Sequence, residues 1–168
     1  VITVVTILVV MMHKIFTPPQ HGPFGTSIGV FLAGSIEMGK AELWQDTMAK
    51  RIASFRPVFN PRRPNWDNSW KQDIADKNFR KQVNWELNAL DVADIILMYF
   101  DPNTKAPISL LELGLFARSG KLRVYCPKGF WRLGSVQVVC AKYQIPLCYR
   151  SITDITDIEL ERAFRCLH

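Results

Sequence analysis

Short apolar runs of strand length alternate along the chain with longer stretches whose apolar residues recur at helical spacing. "IGVFLAG" (28–34) is apolar throughout and ends at Gly34, which predicts a buried strand. Between Ala41 and Phe55, the residues Trp44, Met48, Ile52 and Phe55 return every three or four positions and predict an amphipathic helix. "RPVFNP" reads as a brief second strand, and "NPRRPNWDNSW" is too polar and too rich in Pro to be anything but a loop. Phe79, Val83, Leu87 and Leu90 then share one face of a helix spanning roughly Lys77 to Val92. "DIILMYF" (94–100) is the strongest strand, without the polar alternation of a half-exposed one. A loop, "DPNTKAP", leads to a helix from about Ser109 to Ser119, with Gly120 as its stop. "LRVYC" is the fourth strand, "PKGFWRLG" a loop, Ser135 to Tyr143 a helix and "PLCYR" the fifth strand. The last helix begins near Asp154 to Asp157 and ends with Arg162 and Arg165, the order of charges that a helix dipole favours.

Five strands alternating with helices predict a parallel sheet with right-handed crossovers and helices on both faces. The expected fold is α/β: a flavodoxin-like (Rossmann-like) three-layer sandwich with a five-stranded parallel sheet in the order 2-1-3-4-5. Ligands of such folds bind beyond the carboxyl ends of the strands, where strand order reverses. Here that point lies between strands one and three, at the loops Gly34 to Gly39 and Asp101 to Ser109. The domain is expected over 28–168. Residues 1–27 read as an N-terminal extension of strand or loop, outside the functional unit. Its start, "VITVVTILVVMM", is too short for a membrane-spanning helix. It also lacks the basic leader and cleavage site of a signal peptide, and Met11 or Met12 is expected as the natural start, with what precedes it non-native.

Composition narrows the class. With 168 residues, 48% hydrophobic and 21% charged, the chain reads as one soluble globular domain. The formal charge of +6 suits an anionic small molecule. The Lys and Arg are scattered, however, and Arg62-Arg63 is the one notable basic doublet, so no nucleic-acid stripe is expected. Cys126, Cys140, Cys148 and Cys166 form no CxxC and have no His at metal-ligand spacing, which points to buried free thiols in a reducing, cytoplasmic compartment.

One position resists this pattern. Glu112 stands inside "PISLLELG" (107–114), where a charge that loses water is costly unless compensated. On the predicted boundaries it falls in the first turn of its helix, at the switch point. There the free N–H groups and the positive helix end would favour an ionised carboxylate. A first-turn Glu that only stabilises its helix is the plainer alternative.

Three motifs, "FLAGSIEMGKAELWQ", "NPRRPNWDNSWKQ" and "FDPNTKAPISLLELG", together resemble the nucleoside 2-deoxyribosyltransferase-like family. The likeness runs from Ile28 to Tyr149 and includes "GFWRLGSVQVVC". The resemblance implies that Glu112 is the nucleophile in cleaving an N-glycosidic bond, forming a covalent glycosyl intermediate taken by another base or by water. It implies Glu86 as the second acid, and Asp67 as a contact to the base, with Trp66 beside it able to stack. Gly34, Ser35, Glu37, Asp101 and Ser109 complete the expected substrate-binding set, Asp101 being equally readable as an Asx-turn residue. The related nucleotide N-glycosidase branch has Arg where this chain has Glu37, and Glu37 would repel a 5′-phosphate. Ala106 stands where the usual transferase has an acid, and Phe31 where Tyr is common. The chemistry asks for no metal and no cofactor. The expected partner is a nucleoside or nucleotide, with neither nucleic acid nor membrane. A homo-oligomer, dimer or higher, is implied, with "GFWRLGSVQ" contributing. Phe130 and Trp131 would be its anchors, or would cover the protein's own core. A nucleoside 5′-monophosphate hydrolase and a nucleotide-sensing module that does not turn over are the rival readings.

Overall fold

A computed structural model describes residues 15–20, 29–36, 43–63, 67 and 69–165. Its strands are β1 (Ile15–Phe16), β2 (Val30–Gly34), β3 (Val58–Phe59), β4 (Ile95–Tyr99), β5 (Leu122–Tyr125) and β6 (Leu147–Cys148). The helices are α1 (Trp44–Ile52), α2 (Lys77–Val92), α3 (Pro107–Phe116), α4 (Leu133–Tyr143) and α5 (Asp157–Arg165), with a short 3-10 turn at Ile152–Asp154. All strands pair in parallel, in the order β1-β3-β2-β4-β5-β6. The predicted 2-1-3-4-5 order is therefore present as β3-β2-β4-β5-β6. The correction is a sixth strand: β1, from the stretch expected to be an extension, pairs Ile15 with Val58 and Phe16 with Phe59 on the outer side of β3. Phe16 stacks on Phe59 at 5.7 Å, so this short edge strand is held by packing as well as by its ladder.

Strand periodicity divides the core into two layers. Val30 and Leu32 of β2, with Ile95, Leu97 and Tyr99 of β4, face α1 and α5. Phe31 and Ala33, with Ile96 and Met98, face α2, α3 and α4. These are the two cores of a three-layer sandwich. Helix α2 begins where Asp76 accepts hydrogen bonds from the Asn78 and Phe79 N–H groups, an N-cap typically contributing about 1 kcal/mol. Helix α3 begins two residues earlier than the periodicity suggested, because Pro107 occupies its first position. Gly34 closes β2 at φ +144°, and a Cβ there would lie 2.3 Å from the Tyr99 carbonyl oxygen. Only glycine lets β2 and β4 end side by side in this way.

The cysteines follow their expected chemistry where they are described. Cys126 and Cys140 are buried free thiols, pushed by burial up to about 12 and about 11, and Cys148 is free and half-buried. Such thiols are inert packing groups at neutral pH. Cys166 lies outside the described residues.

Candidate active site

A cavity of about 1000 Å³ opens beyond the carboxyl ends of β2 and β3. That is at the upper end of the usual range for small-molecule sites, about 300–1,000 Å³. Phe31, Ala33 and Gly34 form its floor, α2 and α3 its walls, and the loop after β3 its far rim.

Helix α3 reverses the usual amphipathic order. Its buried residues are Ser109, Glu112 and Leu113. Ile108, Leu111 and Leu115 are instead 60%, 59% and 59% exposed. Ser109 and Glu112 are three positions apart and share the face turned to the cavity, which answers why a carboxylate interrupts "SLLELG". Glu112 lies in the second turn, however, and no acidic residue occupies the first turn of α3. The expectation that free amide groups and the helix dipole keep it charged is corrected accordingly, since the dipole's influence fades beyond the first turn. Among the described residues no hydrogen-bond donor meets the Glu112 carboxyl. Burial, and then the charge of Glu86, push Glu112 up to about 8. In the free protein at neutral pH it holds a proton.

Glu86 reaches the same cavity from α2. Burial raises its proton affinity as well, but a hydrogen bond from Gln82 opposes the rise. Gln82 Nε2 donates to Glu86 Oε1 at 2.7 Å and to the Pro61 carbonyl at 3.2 Å. The two carboxylates thus differ in kind, one with a donor and one without. Two such groups in one dry cleft disfavour ionising together, and burial raises the proton affinity of both.

The structure brings together four of the expected site residues, namely Gly34, Glu86, Ser109 and Glu112. Ser35 is buried beside them, but its hydroxyl accepts from the Asp101 N–H at 3.1 Å and lies 2.6 Å from the Thr104 hydroxyl. It is absorbed in tying the β2 and β4 ends together. Asp101 is buried with its carboxylate bonded to the Asn103 N–H and side-chain amide, the Asx turn that was its plainer reading. Neither Ser35 nor Asp101 is among the residues lining the cavity. Asp67 is exposed, its carboxylate accepts the Ser69 N–H, and it too stands off the cavity wall. Glu37 and Trp66 lie outside the described residues.

Sequence reasoning missed the polar rim. Asn60 is buried, donates to Asp46 Oδ1 at 3.1 Å and accepts the Arg62 N–H at 3.0 Å. Asn60, Asp46, Lys50, Arg62 and Arg63 all line the cavity. Of these, only Arg62 and Arg63 carried a signal in the sequence, as its one notable basic doublet. Phe130 proves to be core, 4.9 Å from Phe100, whereas Trp131 is 49% exposed with its indole N–H on the Lys105 carbonyl.

The sequence model of a family described as nucleoside 2-deoxyribosyltransferase like matches residues 27–130, more than half of the chain. Among curated proteins, none matches it.

Proposed function

The chain belongs to the nucleoside 2-deoxyribosyltransferase-like family, and from that premise we propose that it cleaves the N-glycosidic bond of a (2′-deoxy)nucleoside. The observation that carries this reading is the carboxylate pair, Glu112 and Glu86, lining one cavity, both with proton affinities raised by burial. The reaction needs that inventory: an ionised carboxylate to meet C1′, and a proton for the leaving base. Glu112 is the nucleophile. As positive charge develops at C1′ opposite it, its ionised form is favoured, and its proton passes to Glu86. Glu86 then delivers that proton to the base nitrogen as the C1′–N bond breaks and the Glu112–C1′ bond forms. A second base or water takes the sugar from Glu112, and Glu112 is regenerated. No metal or redox cofactor enters these steps.

A second reading, an N-glycosidase of nucleoside 5′-monophosphates, draws support from Lys50, Arg62 and Arg63 on the cavity rim. Burial holds the Arg62 guanidinium below its usual range while Asp46 opposes this. We also infer a homo-oligomer, dimer or higher, because the exposed stripe Ile108, Leu111 and Leu115 borders the cavity mouth.

The test is incubation with deoxynucleosides, their 5′-monophosphates and a slow 2′-fluoro analogue, followed by peptide mass spectrometry. Base release with a glycosyl adduct on Glu112 is expected. An adduct on Glu86 reverses the two roles, and no release from any substrate removes the enzymatic reading. Faster turnover of the monophosphates favours the second reading.

A further inference from the structure

Gln82 is the one buried amide among the described residues lining the cavity besides Asn60, and it is only 3% exposed. It precedes Glu86 by one helical turn on α2, so both side chains share a face. Its Nε2 group is committed twice, to Glu86 Oε1 at 2.7 Å and to the Pro61 carbonyl at 3.2 Å. Turning the amide over would set its oxygen against a carboxylate and a carbonyl, so this orientation is forced. The forced orientation leaves Gln82 Oε1 buried without a hydrogen-bond partner. An orphaned acceptor lowers stability, and a buried leucine would avoid that loss. The arrangement serves Glu86 rather than the fold.

We propose that Gln82 is the positioning residue of the carboxylate pair: its amide pins one Glu86 oxygen and so fixes the orientation in which Glu86 gives and takes the proton of the reaction. When the proton reaches Glu86 during the reaction, the same hydrogen bond favours its departure to the leaving base. The bond to Pro61 couples this setting to the loop that carries Arg62 and Arg63. Among the described residues, the other ionisable groups facing this cavity are Glu112 from α3, Asp46 and Lys50 from α1, and Arg62 and Arg63 from that loop. The rim Asp46 is engaged by Asn60.

The catalytic consequence rests on the function proposed above, but the titration does not. Carbon-13 NMR of the Glu carboxyl groups, assigned with Glu86→Gln and Glu112→Gln, reads both midpoints in the intact protein. Gln82→Met should raise the Glu86 midpoint by about one pH unit or more. The acid limb of activity should move with it, and the same substitution in a Glu86→Gln background should leave the pH profile unmoved. Gln82→Asn, which withdraws the amide by one methylene, should shift Glu86 in the same direction and tests the point if Gln82→Met does not fold. A Glu86 midpoint that neither variant moves overturns the proposal. Absence of base release with the expected titrations would remove the function and leave the role of Gln82 in the pair standing.

Discussion

The two faces of the sheet are built from the same strands and solve different problems. On one face, Trp44, Met48 and Ile52 of α1 and Leu160 and Phe164 of α5 close over Val30, Leu32, Ile95 and Leu97. That layer is mostly apolar, with Trp44 edge-on to Tyr99 at 5.5 Å and buried Arg123 bonded to the Ala163 carbonyl of α5. On the other face, α2 and α3 leave a cavity and turn Gln82, Glu86, Ser109 and Glu112 towards it. Helix α3 even leaves Ile108, Leu111 and Leu115 exposed while it buries its carboxylate. The contrast teaches that stability and chemistry are assigned to opposite sides of one sheet. One side spends its burial on packing, while the other tolerates two desolvated acids.

That division can be broken from either side. The largest effect should come from Glu112→Gln, which keeps shape and removes the nucleophile. Base release should fall by about a thousandfold or more while the fold survives. Circular dichroism beside a turnover assay measures both, and near-normal turnover would remove the assignment. Trp44→Ala should do the reverse, costing about 3–5 kcal/mol of stability by emptying the filled layer. Denaturant titration reads that loss, and a variant as stable as the parent would show that the layer is not close-packed.

A smaller effect separates the faces by pH. The folded-state midpoint of Glu112, about 8, lies above its ordinary value of 4.5. The folded protein therefore binds more protons than the unfolded chain between those values. The stability contributed by the protonated group is complete below about 4.5 and is lost as pH rises towards 8. Glu112→Gln should flatten that decline and be the more stable protein at pH 8. Thermal melts across the range decide this, and parallel curves for the two proteins would show that Glu112 is not desolvated as described. The smallest effect concerns the outward stripe of α3. Leu115→Lys should weaken self-association about tenfold, or about 1.4 kcal/mol, without disturbing the α1–α5 layer. Light scattering across a dilution series tests it, and unchanged assembly would take the stripe out of the interface.

Legibility differed with the range of the forces involved. The bounds of helix α2 were legible because Asp76 caps it, but its inner face was not: Gln82, Trp85, Ala89 and Leu90 are buried, whereas Leu87, expected on the apolar face, is exposed. The central strand β4 was legible because no polar residue interrupts it. The edge strand β1 was not, because two residues carry no period, and Ile15–Phe16 become a strand only by pairing with Val58–Phe59. In the site, the glutamates at positions 86 and 112 were found through motif resemblance and an out-of-place charge. Ser35 and Asp101 stand at strand ends, a position that suits ligand contact, but the sequence did not show their internal bonds. Only the packed structure shows them bonded to each other's segments. Gln82 carried no signal at all, since a helical glutamine beside Lys81 looks solvent-facing in one dimension.

By itself the sequence determined the alternation of strands and helices, the parallel order from β3 to β6, the family, and an acid at 112 that no helix face would choose. These rest on local periodicity and on residue identity, which survive in a linear string. Tertiary structure alone decided which face of α3 is inside and which carboxylate meets a donor. Desolvation and hydrogen bonding depend on what α2, α3 and the loop after β3 place within a few ångströms of each other. Neighbours 21 residues apart in sequence, such as Pro61 and Gln82, acquire their relation only when the chain has folded.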